Sequence, residues 1–297
     1  MTRLADLAEL VRAPAALSVP GDVLSGAAAA GALGPRTPAL AGASVLLYWA
    51  GMAANDWADR RLDAVERPER PIPSGRVRPS VALGVASGLT AAGLAVATAA
   101  GGRRAAAVAL PLAATIWGYD LRAKNTAAGP AVMAACRGLD VLLGASGGRV
   151  VRALPAALTV AAHTWTVTAL SRREVTGADR RLPGLTLAGT ALIALATPAR
   201  PTPPATGRSG YSRAARLGDL VPAVLAAGYA TRYGRAQARV LADPSPARVR
   251  AAVGAGITGL PALQGALTAR AGARMLGLAV AGAAPLGRRL ARLISPT

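Results

Sequence analysis

Long runs of Ala, Leu, Val and Gly alternate with short arginine-bearing stretches along the whole 297-residue chain. Apolar segments fall at 14–33, 39–56, 81–101, 104–119, 128–147, 152–170, 183–199, 216–233 and 248–269. A further one, 272–293, ends in Arg288, Arg289 and Arg292. A helix needs about 20 mostly apolar residues to cross a bilayer, and several of these segments approach that length. The pattern predicts an all-α polytopic membrane protein of about nine transmembrane helices, with 272–293 either a tenth span or an interfacial helix. Asp219 and Pro222 interrupt 216–233, and the Pro- and Gly-rich stretch 200–215 reads as the most flexible segment. No soluble domain and no solenoid-length repeat breaks the series, so 1–297 reads as a single membrane domain.

Composition sharpens this picture. The chain is 53% hydrophobic with a mean hydropathy of +0.37, too apolar for an ordinary soluble domain. Its formal charge is +20, but the arginines fall between apolar runs rather than along a basic stripe with interleaved aromatics. That argues against nucleic acid and for charges that set topology and touch membrane lipid. Loops 57–80, 120–127, 171–182 and 234–247 carry the denser arginine sets and alternate along the chain. They therefore share one side, assigned to the cytoplasm together with the N-terminus, with the chain in the cytoplasmic membrane. Loop 200–215, with Arg200, Arg208 and Arg213, departs from the rule. Cys136 is the only cysteine, which excludes an intrachain disulfide and a multi-cysteine metal site. Arg3, Asp6, Glu9 and Arg12 precede the first apolar run, unlike a cleavable signal peptide.

The chemistry concentrates where the second apolar run ends. Asn55, Asp59 and Asp63 are spaced i, i+4, i+8, which on a helix lines up three oxygen ligands. The chain has only 14 acidic residues, so two in this row are hard to dismiss as ordinary surface. Such a row suits Mg²⁺, which prefers carboxylate oxygen and shares its shell with phosphate. Arg70-Pro71-Ile72-Pro73-Ser74-Gly75-Arg76-Val77 follows, offering guanidinium forks for the remaining phosphate oxygens on a proline-stiffened loop. The bland alternative is acids and arginines pairing at a membrane edge. Arg137 lies inside an apolar span with Asp140 at i+3, either a functional intramembrane pair or a helix-packing salt bridge. His163 is either an acid–base group or a hydrogen-bonded packing residue. Trp57, Trp117 and Tyr119 read as interfacial aromatics that could shield a carbocation.

The stretches Asn55–Asp63 and Arg70–Val77 resemble the first aspartate-rich motif of the UbiA superfamily of intramembrane prenyltransferases. Tyr119-Asp120-Leu121-Arg122-Ala123-Lys124 resembles that superfamily's Tyr-x-x-x-x-Lys segment, and Lys124 is the only lysine in the chain. The resemblance covers nearly the whole chain. It implies a UbiA-like helical bundle in which Mg²⁺ and a polyprenyl diphosphate donor bind at Asn55, Asp59 and Asp63, with Arg70 nearby and Lys124 facing the diphosphate. By the same likeness the prenyl group moves to a small hydrophobic or aromatic acceptor and diphosphate leaves. Asp59, Asp63 and Lys124 would be catalytic; Asn55, Arg70, Tyr119, Arg137, Arg172 and Glu174 would bind substrate. The second loop, Ser171-Arg172-Arg173-Glu174-Val175-Thr176-Gly177-Ala178-Asp179, departs from the superfamily's second acidic motif. Glu174 is its remaining metal ligand, and Arg172 and Arg173 could replace one metal electrostatically. This loop together with Arg137–Gly144 is most similar to the EboC-like branch. The rival reading is a non-catalytic transporter or scaffold that kept a prenyl-diphosphate pocket.

Overall fold

The computed structural model describes residues 3–13, 18–197 and 220–283, and every regular element among them is helical. In chain order these are α1 (Leu4–Leu10), α2 (Pro20–Ala30), α3 (Thr37–Glu66), α4 (Pro79–Gly118), a π-helical turn (Tyr119–Ala123), α5 (Gly129–Ala145), α6 (Val150–Ser171), α7 (Arg181–Ala196), α8 (Val221–Ala242), α9 (Pro246–Arg270) and α10 (Arg274–Ala283). Proline in the first turn starts α2, α3, α4, α5, α8 and α9, where its missing N–H costs no hydrogen bond. By length and composition, Thr37–Glu66, Pro79–Ala123 and Val150–Ser171 are long and apolar enough to cross a membrane. Loop 200–215 and the end of the 272–293 segment lie outside the described residues.

Two boundaries differ from the sequence pattern in a way that matters. The residues after the second apolar run do not form a loop: α3 continues unbroken to Glu66. Its 30 residues span about 45 Å, beyond the roughly 30 Å hydrocarbon layer, so the acidic end stands clear of the apolar run on the same rigid rod. The apolar segments 81–101 and 104–119 are continuous except at Gly102, whose φ of 63° breaks the helix into two arms. Trp117 Nε1 donates to Thr90 Oγ1 at 3.0 Å, joining the arms across the break. Both arms lie against α3, and the second brings Ile116 and Asp120 beside Gly51.

Three larger apolar clusters hold the bundle among the described residues, with a smaller one of Ala30, Ala145 and Ala153. One joins α2 and α3 to α4 and α5 through Leu40, Leu47, Leu112, Ile116 and Leu143. A second joins α5 and α6 to α8 and α9 through Val160, Leu170, Tyr229, Tyr233 and Leu263. The third packs α1 and the 67–78 loop on α3 and the start of α4 through Leu10, Ala53, Ile72 and Val77. α2 and α5 touch backbone to backbone. A Cβ on Gly26 would lie 1.8 Å from the Val141 carbonyl oxygen, and one on Gly144 would lie 2.0 Å from that of Val23. Small residues permit this approach, the usual means of packing helices in lipid.

This seam carries a buried polar network. Arg137 pairs with Asp22 of α2, Nε to Oδ2 at 2.7 Å, and stacks over the Tyr48 ring. The i+3 pair expected with Asp140 is therefore corrected: Asp140 instead accepts from Ser44 Oγ of α3. Close α2–α5 packing delivers a carboxylate to Arg137 from another helix, which sequence spacing could not register. Gln264 of α9 donates to Asp22 Oδ1 at 2.6 Å and to the Ser18 carbonyl at 2.9 Å. Farther along the bundle, His163 is buried against Tyr229, Nδ1 to OH 2.9 Å, and meets Tyr229 and Tyr233 edge-on. That is the packing arrangement rather than the acid–base one.

One end of the bundle collects the arginine-bearing loops. Lys124 reaches Asp59, Arg172 donates to the Thr126 carbonyl, Arg250 donates to the Glu174 carbonyl at 2.8 Å, and Ala178 N–H donates to the Pro244 carbonyl. The four loops that alternate along the sequence thus meet at a single face.

Candidate active site

Four-residue steps drift about 40° each on a helix of 3.6 residues per turn, so the Asn55–Asp59–Asp63 row winds round α3 rather than running straight. The structure divides it accordingly. Asn55 and Asp59 face the π turn: Asn55 Nδ2 donates to Asp120 Oδ1 at 3.3 Å, and Lys124 Nζ lies 2.6 Å from Asp59 Oδ1. Asp63 faces the following loop, where Arg70 Nη1 meets its Oδ2 at 2.7 Å. Asp56, seven residues before Asp63 and hence on nearly the same face, takes the same Arg70 nitrogen at 3.3 Å and Arg12 at 2.7 Å. Three cations therefore hold three carboxylates at the end of one helix.

Local sequence explains why each partner arrives. The Lys124 N–H bonds to the Tyr119 carbonyl at 3.0 Å, a five-residue closure that widens the turn and brings Asp120 and Lys124 to α3. The α3–α4 approach depends on Gly51, where a Cβ would lie 2.5 Å from Ile116 Cγ2 and 3.2 Å from Asp120 Oδ2. Arg70 is aimed by a turn closed between the Val77 N–H and Pro71 carbonyl at 2.8 Å. Gly75 supplies its positive φ of 76°, and Ile72 and Val77 anchor it in the core. Arg76 straps α1 onto this loop, meeting Asp6 at 2.9 Å and Glu9 at 2.6 Å, and it also donates to the Glu69 carbonyl. Hydrogen bonds from the Arg3 amide and from Arg76 hold the Asp6 carboxyl below the usual carboxylate range.

Beside the cluster a cavity of about 360 Å³ opens, lined by Arg12, Tyr48, Gly51, Asn55, Tyr119, Asp120, Cys136 and Arg137 among others. Arg137, stacked over Tyr48, lines it together with Asn55 and Asp120. Tyr119 is the one interfacial aromatic that reaches it. Trp57 is covered by the Arg60 guanidinium 4.7 Å from its ring, and Trp117 packs against Thr90.

The second loop contributes differently. Arg172 points back at the turn carrying Lys124, donating to the Thr126 carbonyl and, at 3.5 Å, to that of Lys124. Glu174 is half-buried, which raises its carboxyl above the ordinary value, and its backbone carbonyl is held by Arg250. No hydrogen bond or ion pair joins Glu174 to the α3 cluster among the described residues. Nor do any three His, Cys, Asp or Glu side chains there group closely enough to grip an ion unaided. Mg²⁺ does not require such a cage: it is commonly held by one or two carboxylates, waters and substrate phosphate. The oxygen donors Asn55, Asp59 and Asp63 match that chemistry. Asp56, Arg12 and Asp120 escaped sequence reasoning; only Asp56, next to Asn55 and in register with Asp63, gave a signal.

A family model described as the UbiA prenyltransferase family matches residues 21–197. Digeranylgeranylglyceryl phosphate synthase of Methanothrix thermoacetophila is 44% identical over 80 residues, 26% of this chain and 30% of that protein. The enzyme of that name from Natronomonas pharaonis is 45% identical over 85 residues, 28% of this chain and 31% of its own length. The bacteriochlorophyll synthase 33 kDa chain of Cereibacter sphaeroides is 46% identical over 54 residues, 18% of either chain. The matched stretch thus spans less than a third of these curated relatives. A solved structure concerned with digeranylgeranylglyceryl phosphate synthase in membranes superposes with a TM-score of 0.66 at 16% identity, covering 91% of this chain and 99% of the other. The apo structure of a UbiA homolog from Aeropyrum pernix K1 gives 0.57 at 17% identity, covering 82% and 96%. At such identities the likeness is one of fold. The fold and its apolar helices make this a multi-pass membrane protein. The chain belongs to the UbiA prenyltransferase family.

Proposed function

We propose that this protein is a Mg²⁺-dependent intramembrane prenyltransferase, moving an isoprenoid chain from a polyprenyl diphosphate to a small hydrophobic or aromatic acceptor with release of diphosphate. The observation that carries the reading is the carboxylate–cation cluster of Asp56, Asp59, Asp63, Arg12, Arg70 and Lys124, which meets the 360 Å³ cavity through Arg12 and, beside it, Asn55 and Asp120. Asn55, Asp59 and Asp63 would hold Mg²⁺, which when bound neutralises phosphate oxygens. Lys124 and Arg70, released from their carboxylates, turn to the diphosphate and stabilise charge building on it as the carbon–oxygen bond breaks. Arg172 positions Lys124 through the turn backbone, and Arg137 lends positive charge to the cavity wall where Tyr119 faces the substrate. Glu174 is the second loop's candidate ligand. The arginine-rich end faces the cytoplasm in the cytoplasmic membrane, following the charge asymmetry of the loops.

The test is diphosphate release by purified protein with Mg²⁺ across a panel of polyprenyl diphosphates and acceptors. Asp59→Asn should lower turnover by roughly 10²–10³-fold while membrane insertion and melting stay unchanged. Undiminished turnover in that variant sinks the assignment. A second reading, a non-catalytic carrier or scaffold, is favoured by the separation of Glu174 from the first cluster. It predicts donor binding without diphosphate release.

A further inference from the structure

α8 and α9 form a pair joined by a tight connection, entirely beyond the stretch matched by the family model. Between them runs a groove of about 610 Å³ with two chemically distinct parts. Arg235, Arg239 and Arg248 line one end; Ala227 and Gly228 line the other, continuing to Val224, which is 65% exposed. From Ala227 to Arg239 the groove extends about 18 Å along α8. Arg232, between the two parts, donates to Thr258 Oγ1 across the groove at 2.9 Å.

Two of these three charges, Arg235 and Arg239, are not answered among the described residues. Among the described residues no acidic side chain lies within ion-pair distance of Arg235 or Arg239, and neither guanidinium makes a hydrogen bond. The acidic residue beside the groove, exposed Asp243, meets Arg248 at 3.5 Å. Three guanidiniums at one end of a furrow lined at the other by alanine and glycine match a ligand with an anionic head and an apolar tail. The Arg239 end adjoins Pro244 and the 171–180 loop, at the arginine-rich face of the bundle. The groove therefore runs from that polar face toward the apolar interior. Guanidinium forks suit phosphate oxygens, and smaller side chains below leave width for an acyl chain.

We infer that the α8–α9 groove is a binding site for an anionic phospholipid, its phosphate held by Arg235, Arg239 and Arg248 and one acyl chain lying over Ala227 and Gly228. This assignment is independent of the prenyl-transfer reading.

The experiment is native mass spectrometry of delipidated protein titrated with phosphatidylglycerol or phosphatidylcholine. Wild type should retain one phosphatidylglycerol with about tenfold or greater preference over phosphatidylcholine, falling as salt rises. Arg235→Gln/Arg239→Gln should lose that preference. Arg103→Gln/Arg104→Gln, exposed at the break in α4, should keep it. The proposal is overturned if wild type shows no preference, a result that needs no variant to fold. Equal loss in the Arg103/Arg104 variant would overturn it in favour of bulk charge. Displacement of the lipid by millimolar inorganic diphosphate would overturn it in favour of a soluble-phosphate site. Melting curves of the variants in neutral detergent check that a lost preference reports the groove and not unfolding.

Discussion

Arg137 is the residue whose neighbours decide most. Its charge is buried between helices, which is costly unless an opposite charge and hydrogen bonds accompany it. Asp22 supplies the charge, Gln264 fixes Asp22, and Asp140 is held by Ser44. Removing one partner should therefore hurt more than removing both. Arg137→Met should destabilise the protein by roughly 3–5 kcal/mol, and Arg137→Met/Asp22→Leu should recover part of that loss. Denaturant or thermal unfolding in detergent measures both. A single variant that melts like wild type would show the pair to be energetically idle. The sequence placed Arg137 in a span but offered Asp140 as its partner, because local spacing registers neighbours on one helix and not a carboxylate more than a hundred residues away.

At the scale of elements, the loop after α3 and the short N-terminal helix act together. Arg76 links α1 to the loop through Asp6 and Glu9, while Ile72 and Val77 anchor the loop beneath. Because the Asp6 carboxyl is held below its usual range, the folded state prefers it ionised. Its contribution is present above the unfolded pKa and is lost as pH falls through the folded one. Hydrogen exchange over residues 4–10 should accelerate in Arg76→Ala at neutral pH, and in wild type only on acidification below the ordinary carboxylate range. Unchanged exchange in Arg76→Ala would mean that α1 is held by Leu10 and its apolar contacts alone. The helix boundaries were largely legible, since Pro starts and apolar runs mark them. The extension of α3 through its acidic end was not, because polar residues at helical spacing look like loop once hydrophobicity stops.

For the whole molecule, the divided row on α3 carries a thermodynamic consequence. In the structure Asp59 and Asp63 are each neutralised by a cation, so under the proposed function Mg²⁺ and diphosphate would have to arrive as a matched pair, one for the carboxylates and one for Lys124 and Arg70. A polyprenyl diphosphate should thus stabilise the protein strongly only with Mg²⁺, by about 2.7 kcal/mol at 100 times its dissociation constant. The shift should vanish in Asp59→Asn/Asp63→Asn. Equal stabilisation without Mg²⁺ in a thermal-shift assay would refute the pairing.

The sequence by itself determined the helical class, the positions of the main apolar helices and the gathering of arginines into alternate loops, and it marked the oxygen donors that the structure divides between two faces of α3. Each is a property of composition or of period along one segment, and such properties survive without knowledge of neighbours. Only the tertiary structure decided that Asp120 would join Asn55 through a π turn and that Asp56 would share Arg70 with Asp63. It also paired Arg137 with Asp22 and set Arg235 and Arg239 beside Arg248 over a furrow of small residues. The Arg137–Asp22 pairing arises where glycine-lined helices approach to backbone contact, and the others where a turn or a neighbouring helix delivers a partner from a distant segment. Which side chains then meet is fixed by packing between distant segments, a quantity that no spacing along the chain records.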